Sequence, residues 1–155
     1  MTPAEYAVAK VKLESYCAYQ ERCLHEVHEK IKSFDLSEKQ VEVLILELQN
    51  NNFLNEERFA RSYASGKFAI KSWGKIKIKA HLQAKYVSAQ FIKYALDDID
   101  MNEYLKRIEH LAQRKFTELL REKDPWIKKQ KVMRFLAGKG YETNLIYDVL
   151  DMLKN

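Results

Sequence analysis

The chain has 155 residues, of which 46% are hydrophobic, so it is long enough for about one domain with a buried core. Its four glycines and two prolines leave few tight turns, and Leu, Lys, Glu and Ala are plentiful, which is the composition of an all-α protein. No apolar run approaches a membrane span, and charges stand where a signal peptide needs an apolar centre. We therefore expect a cytoplasmic protein without membrane contact.

The charge is distributed unevenly. Lys and Arg number 27 against 22 Asp and Glu, a formal net charge of +5, but residues 58–96 contain no acidic residue and nine basic ones. Residues 125–141 form a second acid-free stretch with five basic residues. Such segregation attracts a polyanion or an acidic protein groove, and salt should weaken the attraction. The alternative is a solvated helix surface that lacks carboxylates.

The first third of the chain predicts one long helix followed by two short ones. The long helix is predicted over residues 3–21. Apolar residues then recur at Val27 and Ile31, and again at Val41, Ile45 and Leu48, which are the stripes of two short amphipathic helices. Ser37 lies before the second stripe and is a plausible N-cap.

The segment CLHEVHE in this region contains residue types that can bind a metal. Its candidate ligands are Cys23, His25, His28 and Glu29. It lacks the HExxH spacing, and the other histidines, His81 and His110, stand singly. Cys17 and Cys23 suit neither a disulfide framework nor a CxxC knuckle, so we expect reduced thiols, no metal and no cofactor.

The segment SWGKIKIKAH, residues 72–81, alternates lysine and isoleucine as a half-buried strand would. Its place in an internal repeat indicates a helix instead. At an offset of 51 residues, Ile78 falls on Val27 and Leu82 falls on Ile31. Lys-Ile-Lys-Ile-Lys is therefore predicted to begin a helix, with Trp73 and Gly74 at its entry.

The same pattern recurs a third time at an offset of 54, where Val132 and Leu136 precede the turn GKGY. Gly140 supplies the left-handed residue that ends a helix, and Phe59, Phe135 and Tyr141 are predicted to fill core positions. The three copies are predicted to be three-helix repeats with boundaries at residues 1–52, 53–100 and 101–155.

Each copy needs a further helix before its two short ones, which packs against their apolar faces. Besides residues 3–21, these helices are predicted over residues 56–70 and 101–121, the former with Asn55 as N-cap. Stacked copies would form an elongated, curved module.

The basic residues are the candidate contact surface. We expect contact with a polyanion such as DNA, or with an acidic protein surface, from Arg58, Arg61, Lys67, Lys71, Trp73, Lys75, Lys77, Lys79, Lys85, Lys128, Lys129, Lys131 and Arg134. Trp73 either stacks on a base or fills a neighbour's pocket, or it packs between copies. No nucleophile elbow, Walker loop or dinucleotide fingerprint is present, so no catalytic residue is predicted.

The middle copy resembles the RecX regulatory proteins. The resemblance rests on three short motifs in this sequence: Leu54, Glu56, Glu57, Arg58, Phe59 and Ala60; then Gly74, Lys75, Lys77, Ile78 and Lys79; then Leu82, Lys85 and Val87. The usual glycine of the last motif is Tyr86 here.

The resemblance implies a non-enzymatic regulator built of three tandem three-helix repeats. RecX proteins bind the RecA recombinase filament in its groove and restrain its ATPase, strand-exchange and co-protease activities, and they also contact single- or double-stranded DNA. A monomer is expected. The alternative is a generic helical-repeat nucleic-acid-binding protein, for which the basic stretches alone account for binding.

Overall fold

The structure is a computed structural model that describes residues 2–153. Within that range the chain forms nine helices and no strand: α1 (Pro3–Tyr19), α2 (Leu24–Ile31), α3 (Glu38–Asn50), α4 (Glu56–Lys71), α5 (Lys75–Ala84), α6 (Ala89–Asp97), α7 (Met101–Glu118), α8 (Pro125–Gly138) and α9 (Thr143–Leu153). The predicted all-α class is confirmed. None of the described helices is long and apolar enough to cross a membrane.

The helix starts follow the capping signals of the sequence. The Ser37 hydroxyl accepts a hydrogen bond from the Gln40 amide at 3.2 Å, and Asn55 Oδ1 accepts one from the Arg58 amide at 2.9 Å. All three predicted long helices begin at the expected residue, and their ends differ from the prediction by one to three residues. Helix ends fray, so a difference of this size is expected.

The Lys-Ile-Lys-Ile-Lys segment is helical. Helix α5 begins at Lys75, and the side chains of Ile78 and Leu82 are fully buried, whereas Ile76 is 55% exposed. In a strand Ile76 and Ile78 would share one face and be buried together, so an exposed Ile76 two residues before a buried Ile78 is the pattern of a helix and not of a strand.

The backbone contacts divide the chain into two compact units. Unit 1 runs to Tyr63 and adds Leu82–Ala95. Its core is a cluster of side chains from α1, α2, α3 and the link after α3: Leu13, Cys17, Val27, Ile31, Leu44, Ile45, Leu48 and Leu54. Here the Glu56 carboxylate accepts hydrogen bonds from the backbone amides of Leu24, at 3.3 Å, and Ser88. Burial is the larger effect on this carboxyl and raises its pKa.

Unit 2 consists of Ala64–His81 together with the described chain from Leu96 onward. In this unit α7, α8 and α9 pack against one another in pairs. Tyr104 and Tyr141 are its largest fully buried side chains, and their ring centroids are 5.2 Å apart. Phe59, in unit 1, and Tyr141 are buried as expected, but Phe135 is only half-buried, and Lys115 Nζ lies 4.9 Å from its ring centroid.

The candidate metal ligands do not form a site. Cys23 Sγ donates to the Glu26 carboxylate at 3.2 Å, and the His25 ring lies 4.8 Å from that of Tyr86. Within residues 2–153 no group of three or more His, Cys, Asp or Glu side chains is placed to hold a metal. Cys17 and Cys23 are buried free thiols.

Candidate functional site

Trp73 is the centre of a cationic cluster in unit 2. Lys67 Nζ lies 4.9 Å and Lys77 Nζ 4.7 Å from the centroid of its ring. The ring of His81, one turn after Lys77, lies 4.5 Å away. Each ammonium gains about 0.5–1 kcal/mol from the electron-rich ring face at such a partly exposed site. The indole thus holds two lysines of different helices near one point.

The backbone that carries Trp73 is held from two sides. Ser72 adopts a left-handed conformation with φ of 57°, directly after the end of α4. Its hydroxyl accepts a hydrogen bond from Arg107 Nη1 at 2.9 Å, and its carbonyl accepts one from the Tyr141 hydroxyl at 2.7 Å. Arg107 also donates to the Phe68 carbonyl at 2.7 Å. Positive φ is costly for serine, and these hydrogen bonds offset that cost.

Two glycines bring the start of α5 against the turn between α8 and α9. The Gly74 amide donates to the Lys139 carbonyl at 2.8 Å, and the Ile76 amide donates to the Gly140 carbonyl at 3.0 Å. Gly140 has φ of 101°, which confirms its predicted role as the left-handed residue after a helix. A Cβ on Gly74 would lie 2.3 Å from the carbonyl carbon of Gly140, so the two backbones approach closely only because both residues are glycine.

Helix α5 has an unusual cap at its first residue. The Lys75 amide donates to the buried hydroxyl of Tyr104 at 2.8 Å, and that hydroxyl donates to the Glu142 carboxylate. Burial, with a further contribution from the Glu142 hydrogen bond, raises the pKa of Tyr104, so the phenol keeps its proton. Lys75 Nζ lies 5.1 Å from the ring centroid of Tyr104, at the entrance to this network.

The other predicted basic residues of the middle copy have different surroundings. Lys71 and Lys79 are exposed, and the Lys71 carbonyl accepts a hydrogen bond from Lys139 Nζ at 3.0 Å. One continuous segment of unit 2, which the turn between α8 and α9 supports, therefore carries Lys67, Lys71, Trp73, Lys75 and Lys77.

Three predicted residues lie in unit 1. Arg58 Nε donates to both oxygens of Glu21, at 2.8 and 2.7 Å, and its Nη1 donates to Asn52 Oδ1 at 3.2 Å. These contacts neutralise its charge, and they indicate that Arg58 secures the link into α4. Arg61 pairs with Glu57 at 3.5 Å, and Lys85 Nζ lies 5.9 Å from the Tyr63 ring centroid.

The predicted residues of the third copy all lie on α8. Lys131 pairs with Glu122 at 3.0 Å, and Lys128 Nζ lies 6.0 Å from the Phe116 ring centroid. Lys129 is half-buried and Arg134 is exposed.

Sequence reasoning missed several residues of this surface. The prediction of the surface around Trp73 did not include Arg107, His81 or Lys139. Two of them had a local signal: His81 stands four residues after Lys77 on the same helix face, and Lys139 lies in the acid-free stretch of residues 125–141. Trp126 was also missed: it is 68% exposed in the first turn of α8, two residues before Lys128. An exposed tryptophan beside lysines is a feature of single-stranded nucleic-acid binding surfaces.

Family models match two parts of the chain. Residues 55–96 match the second three-helix domain of RecX, and residues 102–150 match its third three-helix domain. The chain belongs to the RecX family. This family consists of regulatory proteins, and the resemblance expected from the motifs of the middle copy is confirmed.

Curated RecX relatives are longer than this chain. The regulatory protein RecX of Clostridium acetobutylicum is 29% identical over 148 residues, which cover 94% of this chain and 68% of the relative. That of Halalkalibacterium halodurans is 30% identical over 132 residues, which cover 84% of this chain and 49% of the relative. The chain thus spans between about half and two thirds of the length of these relatives.

A solved structure shares the fold. The crystal structure of RecX from Lactobacillus salivarius superposes with a TM-score of 0.91 at 21% identity, and the match covers 99% of each chain. The helical-repeat architecture predicted from the internal repeats is therefore that of a known RecX structure.

Proposed function

We propose that this chain is a negative regulator of the RecA recombinase. It binds in the groove of the RecA–DNA filament and inhibits the ATPase, strand-exchange and co-protease activities of the filament. It acts in the cytoplasm as a monomer, and its three three-helix repeats are those of residues 1–52, 53–100 and 101–155. Membership of the RecX family supports this proposal, because the motifs of the middle copy carry the resemblance to regulators of RecA.

The observation that carries the proposal is the cationic cluster on Trp73. Lys67 and Lys77 are held within 5 Å of the indole centroid on a backbone secured by Gly74 and Gly140. A fixed group of cations suits the phosphates of DNA and the acidic surface of a protein, since less side-chain freedom is lost when it binds. The surface contributes binding only, and it requires no cofactor.

The proposal is tested by the ATPase rate of RecA on single-stranded DNA, with this protein added in substoichiometric amounts. Inhibition well below one molecule per recombinase is expected. The variant in which Lys75, Lys77 and Lys79 are all replaced by Glu should lose the inhibition with its helicity intact. A matched variant with Lys32, Lys39 and Lys123 replaced by Glu should inhibit as the original chain does, because these residues lie outside both acid-free stretches.

Binding to bare DNA at two salt concentrations separates the proposal from the generic nucleic-acid binder. A filament regulator should bind bare DNA only weakly, and salt should reduce that binding further. Tight binding to bare DNA, with inhibition only once the DNA is saturated, would show that competition for the DNA lattice accounts for the effect. Inhibition by the Lys75, Lys77 and Lys79 variant equal to that of the original chain would refute the site.

A further inference from the structure

A groove in unit 1 lies outside the basic stretches. It follows α1 and reaches the end of α2, and its volume is about 610 Å³. Val11, Tyr16 and Phe34 line it, and their carbon surfaces make its floor predominantly apolar.

Cations surround this apolar floor. Lys12 Nζ lies 5.9 Å from the ring centroid of Phe34, and Lys30 Nζ lies 5.6 Å from that of Tyr16. Arg22 lies closer, with its guanidinium carbon 3.7 Å from the Tyr16 centroid. No carboxylate lines the groove, although residues 2–52 contain nine acidic residues against six basic ones.

The cations differ in their freedom. The Arg22 side chain is only 12% exposed, and it is held in place: its Nε donates to the Tyr16 carbonyl at 2.9 Å and its Nη1 lies 3.9 Å from Glu26. Lys12 and Lys30 are exposed, and among the described residues neither has a carboxylate within ion-pair distance. Two ammonium groups at an apolar groove are thus available to negative charges of a ligand.

We propose that this groove binds an acidic peptide segment of a partner protein. One aromatic or large aliphatic side chain of the segment packs on Val11, Tyr16 and Phe34, and carboxylates beside it pair with Lys12 and Lys30. Charge complementarity selects an acidic segment, and the apolar floor requires an apolar anchor within it. This site goes beyond the proposed function, since it lies on a different unit from the Trp73 cluster and combines its lysines with an apolar floor.

The geometry favours a peptide over a single-stranded nucleic acid. Base stacking needs free ring faces on successive aromatic residues. Here cations already lie over Tyr16 and Phe34, and the guanidinium carbon of Arg22 lies 6.0 Å from the ring centroid of Tyr19, which is 83% exposed. A peptide side chain can instead contact ring edges and the Val11 methyl groups.

The test uses the whole chain and a synthetic peptide with one phenylalanine flanked on both sides by glutamates. Fluorescence anisotropy of the labelled peptide should give a Kd of about 10–100 μM, the range of a single-anchor contact. Amide chemical-shift changes in the ¹⁵N-labelled protein should cluster on residues 11–16 and around Phe34. The same peptide with lysines for glutamates, and a version with glycine for phenylalanine, should not bind.

Matched variants decide the location of the site. Replacing Lys12 and Lys30 with Glu should weaken peptide binding at least about tenfold, as expected when two favourable charge pairs become repulsive. Replacing Lys32 and Lys39 with Glu, the same charge change outside the groove, should leave binding unchanged. Val11→Asp should also abolish binding, and because Val11 is 60% exposed the fold should tolerate it.

Three outcomes would overturn the proposal. The first is no binding of the glutamate peptide above that of its lysine counterpart. The second is equal binding by the Lys12, Lys30 variant and the original chain. The third is chemical-shift changes on residues 11–16 with oligothymidine but not with the peptide, which would assign the groove to nucleic acid.

Discussion

The Gly74 amide donates a hydrogen bond of 2.8 Å to the Lys139 carbonyl, which joins the two acid-free stretches of the sequence through their backbones. This bond places the start of α5 against the turn between α8 and α9. It exists because no side chain separates Gly74 from Gly140.

Gly74→Ala should destabilise the protein by at least about 2 kcal/mol, because the new methyl group would lie 2.3 Å from Gly140 backbone atoms that cannot move aside easily. Gly66→Ala is the matched control. Gly66 lies inside α4, and no atom lies within 4 Å of the position that a Cβ would take there, so alanine should stabilise the helix by about 0.5–1 kcal/mol. Urea unfolding of both variants measures the contrast, and equal stabilities would contradict this account of the glycine contact.

Ile78→Asp should unfold much of the helical structure around α5, because it places a charge without a partner at a fully buried position. A loss of more than about 3 kcal/mol is expected. Ile76→Asp, two residues earlier, should change stability by less than about 1 kcal/mol, since Ile76 is 55% exposed and the first turn of a helix favours carboxylates. Circular dichroism melting compares the two, and a wild-type melt for Ile78→Asp would refute the packing described for α5.

Trp73→Ala should weaken inhibition of the RecA ATPase by about tenfold, a loss expected when two cation–π contacts that hold lysines in place are removed. Trp73→Phe retains a ring face and should recover part of the inhibition. Melting curves of both variants serve as the control for folding. If Trp73→Ala inhibits as strongly as the original chain, the indole does not position the lysines for binding.

Stability should fall as the pH rises from about 9 towards 11. Burial is the main cause that raises the pKa of the Cys23 thiol, from 9.0 to about 11. In that window the unfolded chain releases the thiol proton while the folded chain retains it, so alkali favours unfolding by up to about 1.4 kcal/mol per pH unit. Urea unfolding at pH 8 and pH 10.5 measures the loss.

Cys23→Ala is the control for the pH dependence. It should show a smaller loss over the same interval, with the remainder coming from buried tyrosines such as Tyr104, whose pKa burial also raises. The same slope in both proteins would exclude Cys23 as a source of the alkaline destabilisation.

Local pattern in the sequence predicted the helices well. Apolar residues at helical spacing predicted that Ile78 and Leu82 are buried, and the internal repeat overruled the strand-like alternation around them. Cap signals placed the helix starts at Ser37 and Asn55, because a cap depends on residues within one turn of each other.

Contacts between distant parts of the chain could not be predicted in this way. Arg58 was assigned to the binding surface from its charge, and nothing local indicates that Glu21 would neutralise it. The same holds for Arg107, whose hydrogen bond to Ser72 depends on how α7 packs beside the end of α4. Tyr86 takes φ of 61° where the family pattern has glycine, and its contact with His25 likewise joins distant segments.

Within unit 1, Glu56 joins residues of the first and the second predicted repeat. Its single carboxylate serves both the Leu24 amide at the start of α2 and the Ser88 amide just before α6. Loss of this carboxylate would remove a hydrogen bond from both helix starts at once. The free energies of unfolding of the two predicted repeats therefore do not simply add. Unit 1 should therefore unfold in one cooperative step that crosses the repeat boundary, unlike a solenoid that frays one repeat at a time.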